Sequence, residues 1–249
     1  MRSDPYLSVV MPCYNEERNI ERGVLRAIYE FLRKQSYTSE VIVVDDGSTD
    51  RSCELIEEFI GKKPHFSLVK NSHQGKARAV ITGILQAKGK IILFSDLDQA
   101  TPLSECTRLL PFFKTHDIVI GSRRDERRGA PLSRIVMARG FIMLRSLLLG
   151  ITIHDTQCGF KAFKKEIAHP LFKKLRLYKN RKTIEGSHVT AGFDVELLFL
   201  AQKLGYRIKE VPVVWNYVET RRVSPLRDSW EGFIDLLRIK IDDMRGRYD

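Results

Sequence analysis

No two cysteines of this chain lie close enough in sequence to form a CxxC pair: Cys13, Cys53, Cys106 and Cys158 are spread along 249 residues. That spacing argues against a dense disulfide scaffold or a paired-cysteine zinc module, and predicts buried free thiols in a reducing compartment. The N-x-S/T sequon is also missing, in keeping with a cytoplasmic address. No cationic segment and apolar run precede the first strand-like stretch at Leu7, so no signal peptide is read. Long hydrophobic runs are lacking too. The most membrane-like stretch, "GFIMLRSLLLGITI", is interrupted by Arg145 and falls short of the roughly 17 to 25 apolar residues that a spanning helix needs. The expectation is a soluble or peripheral protein. Without an internal repeat, a low-complexity tract or a linker rich in Gly, Pro or Ser, one domain is the simpler reading at this length.

Several catalytic signatures are absent. "NSHQGKA" contains Gly75-Lys76, but lacks the earlier glycine and the following Ser or Thr of a Walker-type phosphate loop. No GxGxxG follows the first strand, which argues against a dinucleotide site, and neither HExxH nor GxSxG occurs. The six histidines are scattered, and only His154 stands beside other residues of interest; a lone histidine is more often structural than catalytic.

What is present is an ordinary globular composition, 43% hydrophobic and 29% charged, with 42 Lys and Arg against 31 Asp and Glu. The net charge of +11 favours an anionic partner: nucleic acid, a phosphorylated substrate or an acidic membrane surface. In the first half, short β-rich apolar runs alternate with helical patterns, the signature of βαβ units and a largely parallel sheet. "LSVVMP", "EVIVVDD", "FSLVKN", "KIILFSD" and "DIVIGSR" read as strands, with "NEERNIERGVLRAIYEFLRK" as one helix after the first. Functional loops of such sheets sit at the carboxyl ends of the strands, where "PCYNEE", "DDGSTD", "SDLDQAT" and "GSRRDERRGA" fall. The second half reads as an apolar helix near 132–149, then "HDTQCGFKAF", a basic loop, the helix "GFDVELLFLAQKLG", the strand "RIKEVPVVWNYV" and a last amphipathic helix.

Asp96 and Asp98 leave the end of an apolar strand two residues apart, so both can point to one side and offer hard oxygen donors to Mg²⁺ or Mn²⁺. Chance alone often supplies a DxD. The competing reading is that Thr101 caps a helix with Pro102 in its first turn, and that the aspartates complement its amino terminus. Asp45 and Asp46 make a second acidic strand end, suited either to a capped turn or to a ribose or base. The arginines after the fifth strand, Arg123 and Arg134 among them, are either a solvated surface or guanidinium forks for phosphate.

Taken in order, "SVVMPCYNEERNI", "VIVVDDGSTD", "GKARAVITGI", "ILFSDLDQATP", "VIGSR", "HDTQCGFKAF" and "GFDVELLFLAQKLGYRIKEVPVVW" resemble the inverting GT-A glycosyltransferases of family 2, in particular the polyprenyl-phosphate sugar transferases. The resemblance runs from about Leu7 to the last helix. It implies an α/β GT-A fold: a Rossmann-like, mostly parallel sheet flanked by helices, with C-terminal amphipathic helices. One domain, 1–249, would carry a nucleotide-sugar half to about 125 and an acceptor- and membrane-facing half from about 126. It also implies a nucleotide-sugar donor, a Mg²⁺ or Mn²⁺ ion, a polyprenyl or dolichyl monophosphate acceptor, and peripheral contact with the cytosolic face of a membrane, with a membrane-anchoring protein partner as one option.

Carried over by motif, Pro12, Tyr14 and Glu16 match the first nucleotide-contacting loop, and Val44 and Asp46 the second. Asp96, Leu97 and Asp98 match the run that holds metal and diphosphate; Arg123 and Arg134 match arginines placed on phosphates. Asp194, Arg221, Arg222 and Ser224 are the acceptor-side candidates. Mannosyl relatives carry a glutamine where this chain has Ala100, whereas glucosyl relatives carry alanine; this favours glucose from UDP-glucose over mannose from GDP-mannose. Two rival readings remain open, a basic nucleic-acid-binding α/β protein and an idle membrane adaptor. The absence of any nucleic-acid-binding motif speaks against the first, and the intact acidic strand ends against the second.

Overall fold

The computed structural model describes residues 4–61, 63–123, 132–178, 191–216 and 225–249, with backbone alone for 132–139, 191 and 225–229. In chain order these form β1 (Leu7–Cys13), α1 (Glu17–Glu21), α2 (Val24–Leu32), β2 (Ser39–Asp45), α3 (Ser52–Ile60), β3 (Phe66–Lys70), α4 (Lys76–Gln86) and β4 (Ile91–Ser95). A 3-10 turn at Leu103–Glu105, the short α5 (Cys106–Leu109) and a second 3-10 stretch at Leu110–Lys114 follow. Then come β5 (Ile118–Ser122), α6 (Leu132–Leu149), β6 (Phe160–Lys164), α7 (Lys165–Lys174), α8 (Ala191–Lys203), β7 (Ile208–Pro212) and α9 (Pro225–Met244).

The strands form one sheet in the order β3-β2-β1-β4-β6-β5-β7. β1 pairs in parallel with β2 and β4, β2 with β3, and β5 with β7, while β6 runs antiparallel between β4 and β5. Both faces are covered. Val10, Ile42, Val44, Ile92 and Phe94 pack beneath α4, α7 and α8, while Val9, Met11, Val41, Val43 and Leu93 pack on the other face with Leu25, Ile28 and Ile56. A strand buried on both sides has no polar face to alternate with, which is why "SVVM" and "VIVV" read as continuous apolar runs. The four cysteines are free thiols.

Three local features depart from the sequence reading. The helix expected after β1 is two helices, because Gly23 adopts φ 86° at its junction and reorients the chain. "HDTQCGFKAF" hides β6, whose partners lie far away in sequence and leave no local mark. β7 stops at Pro212, tolerated because the strand pairs on one side only, with β5. The strands of the first half otherwise fall where their apolar runs place them.

The order 3-2-1-4 puts a topological switch between β1 and β4. The loops leaving β1, β2 and β4 open there together, as doubly wound sheets arrange their ligand crevices. A separate cavity of about 1150 Å³, lined by Tyr6, Tyr37, Lys90 and Lys114 among others, lies at the amino ends of β1 and β4, at the other rim from those loops.

Candidate active site

The loops after β1 and β2 are tied into one unit. Ser48 Oγ accepts from Asn15 N at 2.9 Å, Ser52 Oγ from Glu16 N at 2.8 Å, and Asn15 Oδ1 from Thr49 N at 2.8 Å. Asp45 turns the chain by accepting from Gly47 N and Ser48 N. Asp46 acts farther away. Its carboxylate, 2% exposed, accepts from Gln74 N at 3.0 Å and Gly75 N at 2.7 Å, so it caps the amino end of α4 from a neighbouring loop. His73 Nδ1 meets the same carboxylate at 2.8 Å, and its ring stacks on Tyr14 with centroids 4.1 Å apart. Of the five residues expected to hold the nucleotide here, Tyr14, Glu16 and Asp46 stand at the loop, whereas Pro12 and Val44 lie in the buried strands. The sequence reading singled out His154, whose side chain is exposed; the histidine at this site is His73.

In the loop after β4, Leu97 is 2% exposed and packs into the core, and Asp96 and Asp98 on either side of it are part-exposed. Of the three, the apolar side chain is the one in the core, and the two carboxylates are left at the crevice. Lys76, the first residue of α4, places Nζ 2.6 Å from Asp96 Oδ1. That oxygen is shielded from solvent and accepts no hydrogen bond of good geometry, so the contact is an ion pair. Desolvation would lower the Lys76 ammonium, yet the carboxylates of Asp96, Asp194 and Asp98 outweigh it and raise its pKa. Asp98 is raised in turn, first by burial and then by the charge of Asp96.

One sequence expectation changes in this loop. Thr101 does not cap a helix: the 3-10 turn starts after Pro102, and Leu103 N donates to Gln99 Oε1 at 2.8 Å instead. Gln99 Nε2 donates to Asp96 O, so the amide of Gln99 is spent holding the loop. Among the described residues, Asn15 and Gln99 are the non-glycine positions with positive φ, both 53°, and both stand in these strand-end loops, where strained backbone often accompanies function.

The second half reaches into the site through β6 and α8. A Cβ on Gly159, just before β6, would collide with Asp96 Oδ2, so only glycine leaves room for that carboxylate. Lys161, fully buried, donates to Cys158 O and to Asp194 Oδ1, each at 2.5 Å. A buried ammonium requires such partners, and Asp194 at the start of α8 is thereby fixed. Arg123, just after β5, is clasped by Asp155: Nε and Nη2 donate at 2.8 Å each, and the Arg123 backbone N at 2.9 Å. Burial alone would raise Asp155, but these bonds and the Arg123 charge hold it down to about 2. The guanidinium also lies over the Trp215 ring, 5.8 Å from its centroid. Asn216 N donates to Ala100 O at 2.7 Å, which joins that segment to the Asp98 loop. The Arg134 side chain and Arg221, Arg222 and Ser224 lie outside the described residues.

Sequence reasoning missed Lys76, dismissed with the phosphate-loop pattern, along with Lys161 and Gly159. For Lys76 a signal existed: it opens the helix that follows a strand end facing the same crevice.

The model of glycosyl transferase family 2 matches residues 8–172. A dolichyl-phosphate β-glucosyltransferase of Dictyostelium discoideum is 34% identical over 97% of this chain and 76% of its own length. The human protein of that name is 31% identical, over 97% of this chain and 77% of its own. Among solved structures, mannosyl-3-phosphoglycerate synthase from Rubrobacter xylanophilus is similar with a TM-score of 0.71 at 15% identity, covering 98% of this chain and 75% of that one. A mannosyltransferase from Pyrobaculum calidifontis, in complex with GDP-Man and Mn²⁺, gives 0.55 at 19% identity, covering 98% and 75%. At such identities these structures speak for the GT-A fold. The family match and the relatives above 30% identity together establish that this chain is a glycosyltransferase and belongs to glycosyl transferase family 2, beside the dolichyl-phosphate β-glucosyltransferases.

Proposed function

We propose that the protein transfers glucose from UDP-glucose to a dolichyl or related polyprenyl monophosphate at the cytosolic face of a membrane. The observation that carries this reading is the carboxylate pair Asp96 and Asp98 at the switch point, on either side of the buried Leu97 and faced by the Lys76 ammonium. The names of the relatives supply the sugar and the acceptor, and Ala100 agrees with the glucosyl branch.

The carboxylate pair fits a divalent cation. Asp96 Oδ1 is shielded from solvent, Asp98 offers hard oxygen donors beside it, and the Lys76 ammonium already stands 2.6 Å from Asp96 Oδ1. Among the described residues no three His, Cys, Asp or Glu side chains converge on one cation position. Mg²⁺ or Mn²⁺ held by Asp96 and Asp98 would neutralise charge on the departing UDP.

The chain's own groups do the rest. In this reading Tyr14, Glu16 and Asp46 would border the nucleotide and Lys76 and Arg123 would meet the diphosphate, a role that the motif also gives to Arg134. An acceptor phosphate oxygen attacks the anomeric carbon, the bond from that carbon to the diphosphate oxygen breaks, and configuration inverts. The acceptor is already mostly ionised near neutral pH, since the second pKa of a phosphate monoester is about 6, so deprotonating it demands little of the protein. Asp194 would serve the acceptor, a role that the motifs also give to Arg221, Arg222 and Ser224. No described helix is long and apolar enough to cross a membrane, and α6 presents Met143 and Leu147 to solvent, at 72% and 80% exposure, as an apolar face for the bilayer interface.

The deciding experiment incubates the protein with radiolabelled UDP-glucose or GDP-mannose and dolichyl phosphate, with Mg²⁺, Mn²⁺ or EDTA. Labelled lipid from UDP-glucose, lost in EDTA and reduced on the order of a thousandfold in Asp98→Ala, is the expected result. Labelling from GDP-mannose alone overturns the sugar, and full activity in EDTA overturns the metal.

A further inference from the structure

α6 carries a cation on its buried side. Met143 and Leu147 are exposed, whereas Arg145 between them is 2% exposed. Among the described residues no carboxylate touches its guanidinium. Nη1 donates to Thr156 Oγ1 at 2.6 Å, Nη2 donates to the carbonyls of Ile153 and His154, and Nε has no partner among those residues. Burial lowers its pKa, and the charges of Asp155 and Glu210 oppose that shift without contact. A leucine here would continue the apolar stretch without desolvating a cation, so the reason for the arginine lies in what it holds.

All of its bonds go to one segment, 153–156. Glu210 on β7 grips the same segment from the other side, accepting from His154 N at 3.0 and 3.1 Å and from Asp155 N at 3.0 Å. That segment presents Asp155, whose carboxylate orients Arg123 against Trp215, and the neighbour of Trp215 is bonded to the Asp98 loop.

We propose that Arg145 is a positioning residue: its planar fork fixes segment 153–156 so that Asp155 holds the Arg123 guanidinium where the donor diphosphate meets it. Lysine cannot substitute, because one ammonium does not present the two coplanar donor groups that reach Thr156 and the two carbonyls together. The proposal rests on the reading that Arg123 faces the donor, and its test separates the two.

The chain has two tryptophans, so a Trp230→Phe background leaves Trp215 as the only one. In that background, without ligand, Arg145→Met and Arg145→Lys are expected to red-shift Trp215 emission and raise its quenching by acrylamide, as Asp155→Asn does. UDP affinity in Mn²⁺, read by calorimetry, is expected to fall about tenfold in Arg145→Met and in Asp155→Asn, and about tenfold, not a hundredfold, in the double variant. An unchanged Trp215 signal, additive losses, or a lowered melting temperature with parental UDP affinity would each overturn the positioning role. A Trp215 shift in a protein whose parent binds no UDP would sink the donor reading and leave the Arg145 clamp standing.

Discussion

The two halves of the molecule build their parts of the site by different means. In the nucleotide half each functional loop leaves the carboxyl end of its own parallel strand, and the polar groups that fix it lie in the loops beside it: Ser48 and Ser52 against Asn15 and Glu16, Asp46 against Gln74 and Gly75. In the other half, β6 and the segments beside it carry the fixing groups to residues of other elements. Gly159 makes room for Asp96, Lys161 fixes Asp194, and Asp155 fixes Arg123. The first arrangement needs only neighbouring parallel strands, whose ends bring the loops together; the second exists only once β6 has entered the sheet between β4 and β5.

The sharpest way to break this division is Gly159→Ala, a change in the second half aimed at a carboxylate of the first. A methyl group there overlaps Asp96 Oδ2 and must displace the carboxylate or the strand. Displacement of about an ångström costs on the order of a hundredfold in turnover, so the kcat for glucosyl transfer should drop by that amount while circular dichroism shows the fold retained. Parental turnover would mean that Asp96 tolerates movement and that β6 does not set the geometry of the pair.

The same contrast explains what was legible in the sequence. Strands β1, β2 and β4 are mostly buried on both faces and followed by turn residues, so apolar runs mark them, and the DxD is placed by the strand it leaves. Antiparallel insertion of β6 is a nonlocal pairing, and "GFKAF" alone carries no sign of its neighbours. The contact between Lys76 and Asp96 spans two loops and depends on the sheet order. Ala100 was legible by motif, but the bond from Leu103 N to Gln99 was not, because a positive φ at a glutamine cannot be read from residue type.

A second comparison lies on the surface. The loops of the nucleotide half are polar, whereas α6 and α9 expose Met143, Leu147, Trp230 and Met244. Replacing Met143 and Leu147 together by serine removes two apolar side chains four residues apart on one helical face. Sedimentation with anionic liposomes should weaken by about tenfold or more, with UDP affinity unchanged. Equal sedimentation of variant and parent would remove α6 from the membrane face and assign attachment to other surfaces.

The smallest effect on turnover, and a clear one on stability, is expected where the halves meet at the rim away from the loops. Asp117, just before β5, accepts from Arg207 N, Nε and Nη2 at 3.1 Å each and from Lys164 Nζ at 2.9 Å, which ties β5 to the ends of β6 and β7. The Arg207 bonds, aided by Lys164 and opposed by burial, hold this carboxyl well below the usual carboxylate range. A pKa depressed by folding adds stability that is complete above the unfolded value near 4 and is lost as pH falls below it. Asp117→Asn should therefore destabilise the protein by about 2 kcal/mol at pH 7 in urea unfolding, with the gap to the parent narrowing steadily as pH falls from about 4 towards 2. Its kcat should match the parent, because none of these groups belongs to the catalytic rim. If turnover fell with stability, the two rims would be coupled through β5 to Arg123, and the division between a scaffold rim and a working rim would fail at that strand.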